Sequence, residues 1–233
     1  MTMRCYLFTS SCALAAVAFV AFFSHAVLVA GGDPSNKAIE VDVYYESLCP
    51  DSMRWIKDKL APSYDALKDY IHVNYIPYGK ASQKVNQENG QWQFVCQHGP
   101  NECEGNMAQA CAIHAIQNEE TADRVQQLTE ALVVCAMASS FPATAVPQCA
   151  ETVKLNQQSQ DSIRDCMSGP LAQELLAANG KKTAALTPPL SFVPTITLNG
   201  VYSQENQRKA LNNFFKLICD NLGETKPSQC NGA

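Results

Sequence analysis

Apolar and polar positions alternate from residue 39 to 45: Ile39, Val41, Val43 and Tyr45 against Glu40, Asp42 and Tyr44. A period of two predicts a strand with one apolar face. The period changes after Cys49. Pro50 suits the first position of a helix, where no amide hydrogen bond is lost. Met53, Ile56 and Leu60 then recur at helical spacing, and Pro62 is expected to kink or restart the helix. Residues 71–78 read as a second strand. Together these elements predict a β-α-β unit with Cys49 at the carboxyl end of its first strand, where sites in open α/β sheets gather.

Residues 81–185 have a different texture. They are rich in Gln, Ala and Asn, poor in β-branched residues, and hold Cys96, Cys103, Cys111, Cys135, Cys149 and Cys166. Short helices are expected over 103–116, 122–138, 146–155, 159–167 and 171–178, with Gly169-Pro170 and Asn179-Gly180 as punctuation. The segment reads as a helical insertion stapled by disulfides. Strand signals return over 192–198, Asn199-Gly200 is a hairpin turn, and Val201-Tyr202 opens the return strand. Leu211, Phe214, Phe215, Ile218 and Leu222 form the stripe of a last helix. Pro194 falls inside the third strand signal, where it costs a ladder bond; a cis bond in a tight loop would accommodate it.

The amino end carries Arg4 and then an apolar run from Cys12 to Ala30, before the chain turns polar at GGDPSN. This reads as a secretory signal peptide over 1–30, with the mature domain over 31–233. A cut after Ala26 fits the small-residue rule best, and one after Ala30 is the less regular alternative. Loss of Arg4 leaves 16 basic against 22 acidic side chains, a net −6. That charge argues against a nucleic-acid partner, and no second apolar run of spanning length follows, so no membrane contact is expected after cleavage.

Nine of the eleven cysteines remain once Cys5 and Cys12 leave. In an oxidising compartment such density means disulfides, and an odd number leaves one thiol over. Cys49 is the candidate, because it alone has the strand-to-helix context. The other eight can pair in 105 ways; Cys219 with Cys230, across the turn signals of Gly223 and Pro227, is the best single expectation.

The element order resembles the thioredoxin-like α/β (α+β) arrangement with a helical insertion. A more specific match lies at residues 96–111, CQHGPNECEGNMAQAC. Cys96, Gln97, His98, Gly99, Glu102, Cys103, Asn106 and Cys111 resemble the signature of the gamma-interferon-inducible lysosomal thiol reductase (GILT) family. YYESLCPDS and PPLSFVPTITLNG resemble its active-site and proline-strand segments. The resemblance implies reduction of protein disulfides by a Cys-x-x-Cys pair, with Cys49 attacking. It also implies that Val193, Pro194 and Thr195 border the substrate. Here the resolving position is Ser52, so the motif is Cys-x-x-Ser.

A thiol at a helix N-terminus sees unpaired amides and the positive dipole end, which favour thiolate. Ser52, three residues on, is placed to donate toward the same sulfur. Attack on a disulfide would give a mixed disulfide on Cys49. A hydroxyl cannot expel the product, so release needs an external thiol such as glutathione or cysteine. No other cofactor is implied, and no metal: Cys-x-His-x4-Cys-x7-Cys matches no common zinc module, and His98 is expected to hold its loop by hydrogen bonds. Two functions follow. One is an oxidoreductase acting on disulfide-containing proteins through Cys49, its dithiol cycle impaired. The other is a secreted, non-catalytic protein that binds extracellular partners. The chain contains no Asn-x-Ser/Thr, and mannose-phosphate delivery needs N-glycans. The expected location is therefore secreted, with endosome or lysosome as the alternative.

Overall fold

The computed structural model describes residues 38–232; the expected signal peptide lies outside them. Strand β1 (Ile39–Tyr45) forms as its alternation predicts, with Ile39, Val41, Val43 and Tyr45 all buried. Helix α1 (Pro50–Trp55) follows, then a π-helical turn (Ile56–Leu60) and α2 (Ala61–Leu67). Pro62 therefore restarts the helix in its first turn, where its missing amide costs nothing. Strand β2 (Ile71–Pro77) pairs parallel with β1. Strand β5 (Thr195–Leu198) pairs antiparallel on the other side, giving the order β2-β1-β5.

The insertion begins differently from expectation. Ser82–Val85 (β3) and Trp92–Val95 (β4) form an antiparallel hairpin, where the reading of 81–185 as a helical insertion expected no strand. Trp92 and Phe94 stack on one face of it, ring centroids 6.2 Å apart. Five helices follow: α3 (Pro100–Glu119), α4 (Ala122–Ala138), α5 (Val146–Thr152), α6 (Gln157–Ser168) and α7 (Leu171–Ala184). Helix α7 runs through Asn179-Gly180, which read as a break. A Cβ on Gly180 would lie 2.7 Å from the Tyr78 ring, so the glycine is there for close packing.

After β5, Asn199 and Gly200 take positive φ values of 51° and 72°, the geometry of the expected turn. The return strand is reduced to a single bridge, Leu198 with Val201. The final helix, α8 (Gln204–Asn221), is kinked at Asn213 (φ −147°, ψ 89°), whose Oδ1 accepts from the Lys216 amide at 3.0 Å. The kink turns the apolar stripe: Phe214, Leu217 and Ile218 are buried, whereas Leu211 is exposed.

Two larger cores result. The first joins the sheet to α1, α2 and α8, with Trp55 edge-on to Phe214 at 5.4 Å. The second lies among α3 to α6 and is rich in alanine (Ala108, Ala112, Ala115, Ala136 and Ala150), which lets helix backbones approach closely. Helix α4 serves both: Val133 and Met137 enter the first, Leu128 and Leu132 the second. Full burial of each large aliphatic side chain contributes about 1.5–3 kcal/mol.

Candidate active site

Cys49 stands just before α1 as its N-cap, with extended backbone (φ −69°, ψ 119°). Its amide donates to the Glu46 carbonyl at 3.3 Å, and its own carbonyl accepts from the Met53 amide at 2.9 Å. Among the described residues it is the single free cysteine, and only 7% of its surface is exposed. The other eight are bridged: Cys96–Cys103, Cys111–Cys166, Cys135–Cys149 and Cys219–Cys230. The expected Cys219–Cys230 pair is among them.

Ser52 corrects one expectation. It is fully buried, and its hydroxyl has no hydrogen-bond partner. The donation to the Cys49 sulfur is not made.

The proline segment reaches the same end of the sheet. Because β5 runs antiparallel to β1, its first residue, Thr195, sits opposite Tyr44 near the end of β1. The Val193–Pro194 bond is cis, and Val193 and Thr195 are buried. Thr195 Oγ1 donates to the Phe192 carbonyl at 2.6 Å. Gln207 of α8 clasps the segment from behind. Its Nε2 donates to the Pro194 carbonyl at 3.0 Å, and its Oε1 accepts from the Ile196 amide at 2.8 Å.

The signature residues hold the turn that leads into Cys49. The Ser47 amide donates to Asn106 Oδ1 at 2.9 Å, and Ser47 Oγ donates to the Glu102 carbonyl at 3.1 Å. A Cβ on Gly105 would lie 2.5 Å from Ser47 Oγ, so glycine is what lets α3 come this close. Gly99, at φ 87°, makes the turn into α3, and the Cys96–Cys103 bridge closes that turn. Cys111 ties α3 to α6 through Cys166. Gln97 lies exposed.

Beneath the turn, Glu46 and Glu102 are wholly buried and face His98. His98 Nδ1 lies 2.5 Å from Glu102 Oε2 and 3.4 Å from Glu46 Oε2. Glu102 Oε1 accepts from the His98 amide at 3.1 Å, and Glu46 Oε1 from the Lys80 amide at 2.7 Å. Burial pushes the Glu46 carboxyl above the usual carboxylate range, against the pull of the Lys80 amide. Glu46 was not singled out from sequence, and nor were Ser47, Gly79, Gly105 and Gln207. A lone acidic residue ending an apolar strand was the signal available for Glu46.

The arrangement places one reduced thiol at the same end of the sheet as a proline loop, on a turn braced from behind by buried polar groups. The protein-family model for gamma interferon inducible lysosomal thiol reductase (GILT) matches residues 40–153. A gamma-interferon-inducible lysosomal thiol reductase of Carassius auratus is 33% identical over 192 residues, 82% of this chain and 72% of that protein. A gamma-interferon-inducible lysosomal thiol reductase-like protein of Anopheles gambiae is 35% identical over 200 residues, 82% of this chain and 80% of its own length. The crystal structure of Chlamydia trachomatis DsbA, 11% identical, shares the fold with a TM-score of 0.50, covering 83% of this chain and 91% of that one. On the thioredoxin-like fold that this likeness shows, the chain belongs to the gamma interferon inducible lysosomal thiol reductase family.

Proposed function

We propose that the protein is a thiol-disulfide oxidoreductase of the secretory or endocytic pathway that acts on protein disulfides through Cys49, with its dithiol cycle impaired by Ser52. The observation that carries this reading is Cys49 itself. It is reduced while the other described cysteines are bridged, and it sits at the sheet end that also bears Pro194. Family membership supports the same chemistry.

The Cys49 thiolate attacks a substrate disulfide. The substrate S–S bond breaks, a Cys49–substrate disulfide forms, and one substrate sulfur leaves as thiolate and takes up a proton. Ser52 cannot attack that adduct. An external thiolate of the glutathione or cysteine class attacks the Cys49 sulfur and releases the second substrate thiol. A second external thiol then regenerates Cys49 and leaves as the mixed external disulfide. Val193, Pro194 and Thr195 border the substrate in this reading. The relatives are named lysosomal thiol reductases, which supports an endocytic location beside the secreted one.

A second reading, a non-catalytic secreted binding protein, has an observation of its own: the near-complete burial of Cys49. One experiment separates the two. A disulfide-bonded protein substrate is incubated with wild type, Cys49→Ser and Ser52→Cys, with and without external thiol. We expect wild type to stop at a covalent adduct without external thiol, and dithiothreitol to release it. Cys49→Ser forms none. Ser52→Cys releases reduced product without help. Adduct formation that survives Cys49→Ser overturns the proposal; activity confined to Ser52→Cys selects the binding protein.

A further inference from the structure

The turn that carries Cys49 rests on a cluster that disulfide exchange does not use. We propose that Glu46, His98 and Glu102 form a binding site for one divalent transition-metal ion of the zinc class, which braces the turn ahead of Cys49. One ligand atom from each residue lies within 4.8 Å of the others, and Cys49 is not among them.

Four observations converge. The first is charge. Two carboxylates that are wholly withdrawn from water share one imidazole; buried ionised groups need either opposite charge or a metal. A single imidazolium compensates one of them, whereas a divalent ion compensates both. The second is an orphaned atom. Glu46 Oε2 is buried, faces His98, and accepts no hydrogen bond. A metal ion supplies the contact it lacks.

The third is the outer shell. The remaining oxygen of each carboxylate is already held by a backbone amide, Glu46 Oε1 by Lys80 and Glu102 Oε1 by His98. Both Oε2 atoms are thereby aimed inward, as outer-shell bonds aim the ligands of metal centres. Gly79 makes room for this: at φ 59°, a Cβ there would meet Glu46 Cδ at 2.7 Å. The fourth is spacing. Zinc–ligand bonds of about 2.0–2.2 Å set tetrahedral ligands roughly 3.3 Å apart. His98 Nδ1 and Glu46 Oε2 stand 3.4 Å apart. The 2.5 Å contact between His98 Nδ1 and Glu102 Oε2 is the hydrogen bond that the ion replaces, and it opens by less than about 1 Å.

Ligand type selects the ion. Imidazole with carboxylates suits zinc and its neighbours, whereas calcium and magnesium take oxygen shells. The His98 side chain keeps 31% of its exposure, so the ion has a way in and water can fill the fourth position. The sequence-based argument against zinc rested on the cysteines, and Cys96, Cys103 and Cys111 are indeed bridged. This ligand set is a different one, and Glu46 comes from outside the signature.

The test uses the full secreted chain, stripped with chelator and titrated with zinc alone by calorimetry, with thermal unfolding in parallel. We expect one ion per chain and a rise in the unfolding temperature with zinc. Glu46→Gln and His98→Ala should each weaken binding by about a hundredfold or more, beyond the ten- to hundredfold typical of outer-shell losses, and abolish the thermal shift. Cys49→Ser should bind zinc as wild type does, which keeps this outcome separate from the thiol chemistry. His98 is partly exposed, so its variant tests the site even where Glu46→Gln disturbs folding. No zinc uptake, uptake that survives both ligand variants, or uptake lost in Cys49→Ser each overturns the proposal.

Discussion

Ser52 occupies its position without a polar reason. Its side chain is fully buried in the first turn after Cys49, and its hydroxyl is unpartnered. Leaving a buried hydroxyl without a bond costs about 1–3 kcal/mol. A thiol is a weak donor that packs as a small apolar group, so the pocket suits cysteine better than serine. Ser52→Ala deletes the uncompensated hydroxyl and places a better helix former in α1. It should therefore raise stability by about 1 kcal/mol in urea unfolding. A loss of 1 kcal/mol or more would show that the hydroxyl has a partner in solution. The same reasoning makes Ser52→Cys safe as a probe of chemistry, since the fold does not depend on the oxygen.

At the scale of elements, α7 shows where sequence reasoning succeeds and where it fails. Gly180 within a helix ordinarily costs about 1 kcal/mol relative to alanine, so Gly180→Ala should stabilise α7 on propensity alone. The packing argues the opposite sign. A methyl there would lie 2.7 Å from two atoms of the Tyr78 ring and would also crowd Gln83 Oε1. Overpacking of that kind costs about 1–3 kcal/mol. Gly180→Ala is expected to lower stability, read as a reduced denaturation midpoint at unchanged slope. The pattern of apolar residues placed β1, β2 and α4 correctly because each meets its neighbours through a regular stripe. It missed β3 and β4, whose signal is only Trp92 and Phe94 alternating with Gln91 and Gln93 on a short, largely exposed hairpin. It also read Leu211 as core, because a kink at Asn213 leaves no trace in a hydrophobic period. Cys49 and Ser52 were legible from local context. Glu46 and Gln207 were not, since their roles are made by partners distant in sequence: Glu46 meets Lys80 and His98, and Gln207 meets Pro194 and Ile196.

For the whole molecule, the joint between its two larger cores is tuned toward acid. Glu130 lies on α4, which belongs to both, and accepts a hydrogen bond from Tyr75 Oη of β2. Burial pushes its carboxyl up to about 7, although the Tyr75 bond pulls the other way, and its second oxygen is unpartnered. A folded-state value above the unfolded one near 4.5 means that, between those pH values, folding takes up a proton. Stability from this group is therefore greatest below about pH 4.5 and falls as pH rises to about 7. The shift corresponds to about 3 kcal/mol across that window. The exposed Asp123 and Glu205 are lowered by bonds from Thr121 and Lys209, so their effect falls below this window and leaves its slope unchanged. Glu130→Gln keeps an acceptor for Tyr75 and removes the titration. Any cost of its amide is the same at every pH, so the slope of stability with pH is the quantity to read. Urea unfolding from pH 4.5 to 7.5 should show wild type losing stability as pH rises. The variant should follow a flatter line and gain on wild type by about 3 kcal/mol across the window. Equal slopes would place the acid preference in groups other than Glu130.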